Sequence, residues 1–328
     1  MTAAWAWDAL QARTAAIEAA VGDRFPLHAG DEGWTTTRRG SWTGGFWAGL
    51  LWLRAAALGR PRDLEIARRW TARLPPRAAD DTDTRAMTFW YGAGLGHRWC
   101  GEAEAGEIAA AGARAVAASA LPGSGLIPVG TAFGRAGAAR AGVDALAAVV
   151  ALLEETGRHA AAVRHVDALV PLLVDDRGEV RPHADLTGSA PPAVDGLWSR
   201  GQAWGVLGLA VAADRLGGRH RAVAERVAER WLSLAGHGVP PAAFGTAASV
   251  DTSAAVIAAA GLWTLGDHAA AGAIIDTVVA GHLRPDGVLT GGCYDLAAGV
   301  ACAHELIWGT YFLTAAIAVR TGRLPRGW

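Results

Sequence analysis

The chain has 328 residues, and its 30 basic and 31 acidic side chains leave a formal net charge of −1. No block of basic residues appears, which argues against a nucleic-acid partner. No stretch has the uncharged apolar length of a membrane span, and Asp8, Arg13 and Glu18 interrupt the first twenty residues, so neither a membrane partner nor a signal peptide is predicted and we expect a cytoplasmic protein.

Composition predicts an all-α protein. Hydrophobic residues make up 52% of the chain, Ala and Leu are abundant, and the alternating pattern of strands is scarce. Cys100, Cys293 and Cys302 are odd in number and lack paired metal-ligand spacing, so we predict a reducing compartment, no metal site and no other cofactor. The fifteen Trp residues modestly favour a carbohydrate ligand, because indole rings stack on sugar faces.

The chain repeats a helical hairpin. A first amphipathic helix runs from Ala3 to about Ala20, and a polar, Gly-containing loop follows through Arg39. Nearly all-apolar helices, each ending at a Gly, then alternate with more charged amphipathic helices. The apolar helices are predicted to begin near Trp42, Asp83, Asp144, Trp198, Asp251 and Glu305. The charged helices are predicted at about 62–74, 104–119, 158–174, 219–236 and 267–283.

With the first helix, this gives six apolar and six charged helices, the number of a closed (α/α)6 barrel. An open helical solenoid would show the same period. Closure is favoured because the repeat stops at six units without an atypical capping repeat, and because the first helix needs the last one as its partner. No Pro/Ser-rich linker appears, so we predict one domain over residues 1–328, as a monomer or a homodimer.

If the apolar helices form the inner ring, their starts converge on one mouth. The segment from Trp198 to Trp204 stands out there, because Trp198, Arg200 and Gln202 cannot all point into an apolar core at helical spacing. Carboxylates, aromatic rings and a guanidinium around a funnel predict a site for a polar, ring-shaped anionic ligand, such as a small carbohydrate. The residues placed at this mouth are Trp42, Phe46, Asp83, Asp144, Trp198, Arg200, Gln202, Asp251, Glu305 and Trp308.

Several of these residues have a structural alternative. Asp83 and Asp251 stand where helix N-caps belong, and Glu305 would suit an ion pair with a neighbouring base. His183 and His304 suit hydrogen-bonded histidines of the rim. Asp144 lies in an otherwise apolar run, where an uncompensated carboxylate is costly, so a functional role with a raised pKa and proton donation near neutrality is favoured.

Five stretches, in the same order and covering nearly the whole chain, resemble the unsaturated glucuronyl hydrolases of glycoside hydrolase family 88. The Arg-Gly-Gln-Ala-Trp form at 200–204 is more like this family than the related unsaturated rhamnogalacturonyl hydrolases. The Gly-rich segment from Gly287 to Tyr294 is similar to one that these enzymes carry before the last inner helix. The five stretches are Trp42–Leu53, Val143–Leu146, Trp198–Trp204, Asp251–Ala255 and Leu306–Gly309.

The resemblance implies an (α/α)6 barrel and a metal-free hydrolysis that begins with hydration of the C4=C5 enol ether of an unsaturated uronic acid. It implies that Asp144 is the general acid/base and that Asp83 is the second carboxylate, which orients the ring. It places Trp198, Arg200 and Trp204 in a sugar subsite, with Trp42 on the opposite wall. With the other residues of the mouth, the expected substrate-binding set is Trp42, Phe46, His183, Trp198, Arg200, Gln202, Trp204, Asp251 and Trp308.

Three departures from the family pattern affect the site. Thr82 replaces the usual His before Asp83, Thr310 replaces the Asp of the family's Trp-Gly-Asp, and the family's His-Gln pair has no counterpart in 188–192. Two alternative functions therefore stay open. One is a diverged barrel enzyme that carries out hydration, elimination or isomerisation on a tailored metabolite. The other is a sugar-binding barrel without catalysis.

Overall fold

The alternation of apolar and charged helices forms two concentric rings. The structure, a computed structural model, describes residues 2–187, 196–247 and 249–324. The inner ring consists of α2 (Gly44–Leu58), α4 and α5 (Arg85–Phe89 and Leu95–Cys100), α7 (Leu146–Glu155), α9 (Ser199–Arg215), α11 (Thr252–Leu265) and α13 (Ile307–Arg320). The outer ring consists of α1 (Thr2–Val21), α3 (Pro61–Thr71), α6 (Ala103–Ala118), α8 (His159–Leu173), α10 (Arg221–Ala235) and α12 (His268–His282).

Burial explains why the two kinds of helix differ in sequence. Helix α11 is buried continuously from Thr252 to Leu262, whereas α10 buries only Ala224, Val227, Ala228 and Trp231. An inner helix is therefore apolar on every side, and an outer helix keeps one charged face toward solvent. None of the described helices combines the length and apolar character needed to cross a bilayer.

The inner ring is closed. Each inner helix contacts the next one, and α13 packs against α2, so the last hairpin meets the first. Helix α1 packs against α13 and α12, which supplies the partner that the first helix needed. The predicted (α/α)6 barrel is thus confirmed over the open solenoid. The helix starts also agree with the predictions to within about two residues.

The second inner helix departs from regular geometry. Between α4 and α5 the chain adopts a π-helical turn over Trp90–Gly94. Helix α2 approaches this region closely, since a Cβ atom at Gly45 would lie 2.3 Å from the carbonyl oxygen of Met87. Glycine is required at that contact because any side chain would displace the backbone of α4.

Short strands fix the rim where the inner helices begin, and composition did not reveal them. The segment predicted as a polar loop through Arg39 contains a hairpin, so that prediction is wrong for residues 25–37. Two of the strands lead directly into α9 and α13, and a third is followed by a three-residue turn and α7. These strands anchor the site-bearing end of each helix. The antiparallel pairs are β1 (Phe25–Gly30) with β2 (Gly33–Thr37) and with β7 (Glu305–Leu306), β3 (Arg140–Gly142) with β4 (His183–Asp185), and β5 (Leu197–Trp198) with β6 (Ala243–Phe244).

Core packing accounts for much of the Trp content. Among residues 2–187, 196–247 and 249–324, seven indoles are less than 2% exposed, so the Trp count by itself carries little information about ligands. Trp42 and Trp198 differ because they are half-buried at the mouth. The fully buried indoles are Trp47, Trp52, Trp70, Trp90, Trp204, Trp231 and Trp308.

Candidate active site

Asp83 and Asp144 come together at the rim. Asp144 lies in the turn between β3 and α7, and Asp83 lies two residues before α4. A Cβ atom at Gly142 would lie 3.5 Å from Oδ2 of Asp83 and 3.5 Å from Cδ2 of His183. His183 also pairs with Gly142 between β3 and β4. The fold therefore brings two carboxyl groups and an imidazole, which are spread over 100 positions of the sequence, around one glycine.

Neither carboxylate caps a helix. The N-cap of α4 is Thr84 and that of α7 is Ala145, and neither makes a side-chain capping bond. Capping is thus the wrong explanation for Asp83. It is likewise ruled out for Asp144, whose buried Oδ1 has no hydrogen-bond partner among the described residues. A buried carboxylate oxygen without a donor is costly, and such atoms concentrate at functional sites.

Burial dominates the electrostatics of this pair. It raises the pKa of Asp83 well above the ordinary value, and the neighbouring Asp144 raises it further, against weaker opposing effects of the Thr84 N–H, the Thr82 hydroxyl and Arg85. Burial also raises the pKa of Asp144, while His183 and Arg200 lower it. Two like charges in such a site favour retention of one proton, so the pair can supply an acid and a base together.

Arg200 is held by the protein itself. Its Nη1 donates to Oδ2 of Asp251 at 2.7 Å and to the carbonyl oxygen of Cys293, and its Nη2 donates to the carbonyl oxygen of Tyr294 at 2.7 Å. The guanidinium carbon lies 4.9 Å from the ring centre of Trp198 and 5.6 Å from that of Trp308. Arg200 is therefore a fixed cation that joins α9, α11 and the segment before α13.

Asp251 was expected to contact substrate, but both of its carboxylate oxygens are bound by the protein itself. It is fully buried, and it caps α11 by accepting the backbone N–H of Ser253 at 3.0 Å. The same oxygen accepts the Ser253 hydroxyl at 2.6 Å and the Cys293 N–H at 3.3 Å, while the other oxygen binds Arg200. Both oxygens are thus occupied, and Asp251 acts on the site through Arg200.

Gln202 is corrected in the same way. Its side chain is fully buried, and its bonds to the described residues go to the backbone, with Oε1 accepting from the Val180 N–H at 2.9 Å and Nε2 donating to the Gly178 carbonyl at 2.7 Å. The polar face of the Trp198 to Trp204 segment does not all face the cavity. Gln202 instead forms hydrogen bonds to the backbone of the loop after α8.

Three aromatic residues of the predicted set also lie below the mouth. Phe46, Trp204 and Trp308 are at most 1% exposed, which places them in the core rather than against a substrate. Phe46 stacks on Tyr91, with ring centres 4.5 Å apart. Trp308 supports Trp42, whose ring centre lies 4.7 Å away.

Trp42 and Tyr294 form an aromatic wall. Their rings are stacked at 6.5 Å with an interplanar angle of 13°, and both are half-buried. Tyr294 also lies 5.4 Å from the ring of His28. Sequence patterns did not single out Tyr294 as a site residue, although the Gly-rich segment that ends at Tyr294 was the signal that would have found it.

A cavity of about 620 Å³ opens beside these groups. His183, Trp198 and Arg200 line it, and His183 and Arg200 are also the residues that act electrostatically on Asp144. A volume of this size suits a small organic ligand. The other lining residues are Pro182, Gly196, Ala243, Tyr294, Asp295, Leu296 and Ala297.

Glu305 pairs with a base, as its structural alternative predicted. It is buried, and Oε2 accepts from Arg13 of α1 at 2.5 Å. Thr310, at the position of the family's Asp, donates to Oε1 at 3.2 Å. Thr82, at the position of the family's His, is buried and bonds to the Thr84 hydroxyl at 2.9 Å. The 188–192 segment, where the His-Gln pair is missing, lies outside the described residues.

Comparison with known proteins identifies the fold. No family model matches the chain, and no curated protein sequence matches it. A UGL variant with dGlcA-Glc-Rha-Glc matches with a TM-score of 0.86 and 23% identity over 98% of both chains. Unsaturated glucuronyl hydrolase from Bacillus sp. GL1, responsible for the degradation of glycosaminoglycan, matches with a TM-score of 0.85 and 22% identity over 100% of both chains.

A third match extends this result to another genus. The unsaturated glucuronyl hydrolase from Streptococcus agalactiae matches with a TM-score of 0.87 and 18% identity, over 97% of this chain and 91% of that chain. The chain therefore has the fold of the unsaturated glucuronyl hydrolases, in agreement with the resemblance of its motifs.

Proposed function

We propose that this protein is a glycoside hydrolase that acts on 4,5-unsaturated uronic acid residues of oligosaccharides or glycosides. The observation that carries the proposal is the buried Asp83 and Asp144 pair, with an unpartnered Asp144 oxygen, beside a cavity lined by Trp198 and Arg200. The shared fold supports it, because one of the matching structures holds dGlcA-Glc-Rha-Glc. The whole chain, residues 1–328, would form one catalytic domain.

In the proposed reaction, protonated Asp144 donates its proton to C4 of the enol ether, and positive charge develops at C5 and the ring oxygen. Asp83 orients the ring, and the oxygen of its carboxyl group that carries no proton supports that charge. Asp144, now a carboxylate, removes a proton from water as the water oxygen bonds to C5. The resulting hemiketal opens by cleavage of the bond between C5 and the ring oxygen, and the hemiacetal left at C1 then releases the aglycone.

This sequence consumes one water molecule and regenerates the acid. It differs from ordinary two-carboxylate glycosidases, in which the anomeric carbon is attacked directly. The raised pKa values of Asp83 and Asp144 suit the proposed reaction, because its first step needs a carboxylic acid near neutral pH.

Arg200 is suited to the substrate carboxylate. A guanidinium has five N–H donors, and three of them are directed to Asp251, Cys293 and Tyr294. The remaining two would bind a carboxylate on the uronate ring. Trp198 and Trp42 would contact the faces of the sugar.

The test is to incubate the protein with a panel of unsaturated disaccharides and to follow the loss of enol-ether absorbance. Asp144→Asn removes the acid while keeping the shape of the side chain. We expect it to lower kcat by about 10²-fold to 10⁴-fold with the circular-dichroism spectrum unchanged. Asp276→Asn is the matched control, because its carboxylate lies on the outer helix α12 in a surface pair with Arg320. Substantial activity in Asp144→Asn would refute the assigned acid.

The two substitutions in the site favour one alternative, a diverged barrel enzyme that hydrates or isomerises an unsaturated metabolite. Thr82 and Thr310 both bond to neighbouring protein groups, which removes a basic and an acidic side chain from the family pattern. Product analysis separates the two functions. Release of a free aglycone identifies a glycosidase, whereas a hydrated or isomerised product of unchanged carbon skeleton identifies the alternative.

A further inference from the structure

Residues 126–130 link the two carboxyl groups of the site. The carbonyl oxygen of Val129 accepts the backbone N–H of Asp83 at 3.1 Å, and the N–H of Val129 donates to the carbonyl oxygen of Arg140 at 2.9 Å. Arg140 begins β3, the strand that ends two residues before Asp144. One residue of the segment therefore bonds both to the backbone of Asp83 and to the strand that leads to Asp144.

Close packing reinforces this link. A Cβ atom at Gly142 would lie 2.9 Å from Cγ2 of Val129 and 3.5 Å from Oδ2 of Asp83. The Val129 side chain thus packs against the glycine around which the two carboxyl groups meet. At the next position, Gly130 has a φ of +82°, and a Cβ atom there would lie 2.3 Å from the carbonyl oxygen of Asp81. The segment therefore passes too close to the chain before α4 for a side chain at this point.

His165 of the outer helix α8 holds the other end of the segment. Its ring is buried, and Nδ1 accepts the backbone N–H of Ile127 at 3.1 Å. Burial lowers the pKa of His165 to about 4, so the ring is neutral near neutral pH and Nδ1 stays an acceptor. Pro128 follows directly, fixing its own φ and restricting Ile127 to extended backbone. The segment is therefore stiff between its anchor on α8 and its bonds at the site.

We propose that residues 126–130 form a brace that sets the separation of Asp83 and Asp144, and that His165 is the positioning residue that fixes this brace. The inference rests on the proposed function for the role of the carboxyl pair. Without the His165 acceptor, the Ile127 N–H is left buried and unpaired, which favours displacement of the brace toward water.

A displaced brace changes the acidity of the pair. Repulsion between two carboxylates weakens as they separate, and water that enters the site stabilises their charged forms. Both effects lower the raised pKa values of Asp83 and Asp144. The protonated acid is then lost at lower pH. The other groups that act on the pair come from α9, from β4 and from the chain at the start of α4, and they are Arg200, His183, Arg85, Thr82 and Thr84.

The experiment compares two substitutions of His165 on an unsaturated disaccharide. His165→Leu removes the acceptor, whereas His165→Asn retains one in its Oδ1. We expect His165→Leu to lower kcat by about tenfold or more and to change KM by less than about threefold. The alkaline limb of its pH–kcat profile should move to lower pH by about half a unit or more, because the acid form is lost earlier. His165→Asn should recover most of both changes.

Two further variants separate positioning from stability. Val227→Ala is the matched control, because Val227 is buried on another outer helix, α10, and its loss should lower the denaturation midpoint without moving the alkaline limb. An unmoved limb in His165→Leu, as in the control, would overturn the inference. Pro128→Gly loosens the brace without altering α8, and it should move the limb in the same direction. If His165→Leu fails to fold, the limb of Pro128→Gly decides the outcome.

Titration of the carboxyl groups without substrate distinguishes failure of this inference from failure of the proposed function. NMR of protein with isotopically labelled aspartate follows Asp83 and Asp144 directly, and Asp83→Asn and Asp144→Asn assign their signals. Lower titration midpoints in His165→Leu, with no hydrolysis by the unaltered protein, would retain the brace and reject the glycosidase. Hydrolysis with unchanged midpoints would reject the brace alone, and unchanged midpoints without hydrolysis would reject both.

Discussion

Buried carboxylates occur in two different settings around the mouth of this barrel. Asp251 and Glu305 each lie against an Arg, with distances of 2.7 Å to Arg200 and 2.5 Å to Arg13. Asp83 and Asp144 instead lie near each other, and an oxygen of Asp144 has no partner among the described residues. The compensated acids hold the architecture, and the uncompensated pair is the one suited to proton transfer.

The difference shows why burial alone does not identify a catalytic acid. All four carboxyl groups belong to the rim and precede inner helices. A charged partner makes ionisation tolerable in the interior, whereas a like charge and an apolar surrounding favour the protonated form. The partner of each carboxylate therefore decides its role.

The largest effect on stability is expected from breaking a compensated pair. Asp251→Asn leaves the Arg200 cation buried without its counter-ion, so we expect the free energy of unfolding to fall by about 3–5 kcal/mol. Denaturant titration measures this change. Asp276→Asn, which breaks an exposed pair with Arg320, should cost at most about 1 kcal/mol. Similar losses in the two variants would remove the distinction between the buried pair and a surface one.

An intermediate effect, on substrate binding, is expected from Trp198, whose ring stacks on Arg200. Trp198→Ala removes a half-buried ring from both the guanidinium and the cavity. We expect KM for an unsaturated disaccharide to rise by about tenfold, with a smaller change in kcat, because the ring binds the sugar without taking part in proton transfer. Steady-state kinetics check this expectation, and a loss confined to kcat would contradict it.

The smallest effect concerns the dependence of stability on pH. The folded-state pKa of Asp83 is raised, so the native state binds more protons than the unfolded state in the window above the ordinary value of 3.8. Stability is therefore lost as the pH rises through that window. Asp83→Asn removes this loss, and its denaturation midpoint should exceed that of the unaltered protein at pH 8 by more than at pH 4.

The opposite dependence on pH would contradict the proposed difference between the two kinds of buried carboxyl group. Asp276→Asn provides the baseline, because its carboxylate is exposed on an outer helix. If Asp83→Asn gave a larger relative gain at pH 4 than at pH 8, the carboxyl group would be ionised and stabilised in the fold. That result would contradict the assignment of Asp83 to the pair that retains a proton.

The sequence by itself determined the helical architecture and predicted where the site lies. Burial on every side makes the inner helices continuously apolar, and exposure of one face makes the outer helices periodic, so both are visible in local patterns. The isolated Asp144 was conspicuous for the same reason, because an acid in an apolar run needs an explanation. The six-unit count predicted the closed ring, and the motifs predicted the fold.

Only the tertiary structure decided which groups meet. Arg13 and Glu305 are 292 positions apart, and Arg200 and Asp251 are 51 apart, so no local pattern records these pairs. The burial of Gln202 is set by the packing of α9 on the loop after α8, and the stacking of Tyr294 on Trp42 is set by closure of the ring. Periodicity reports the environment of a residue along its own helix, whereas its role depends on partners brought from other helices.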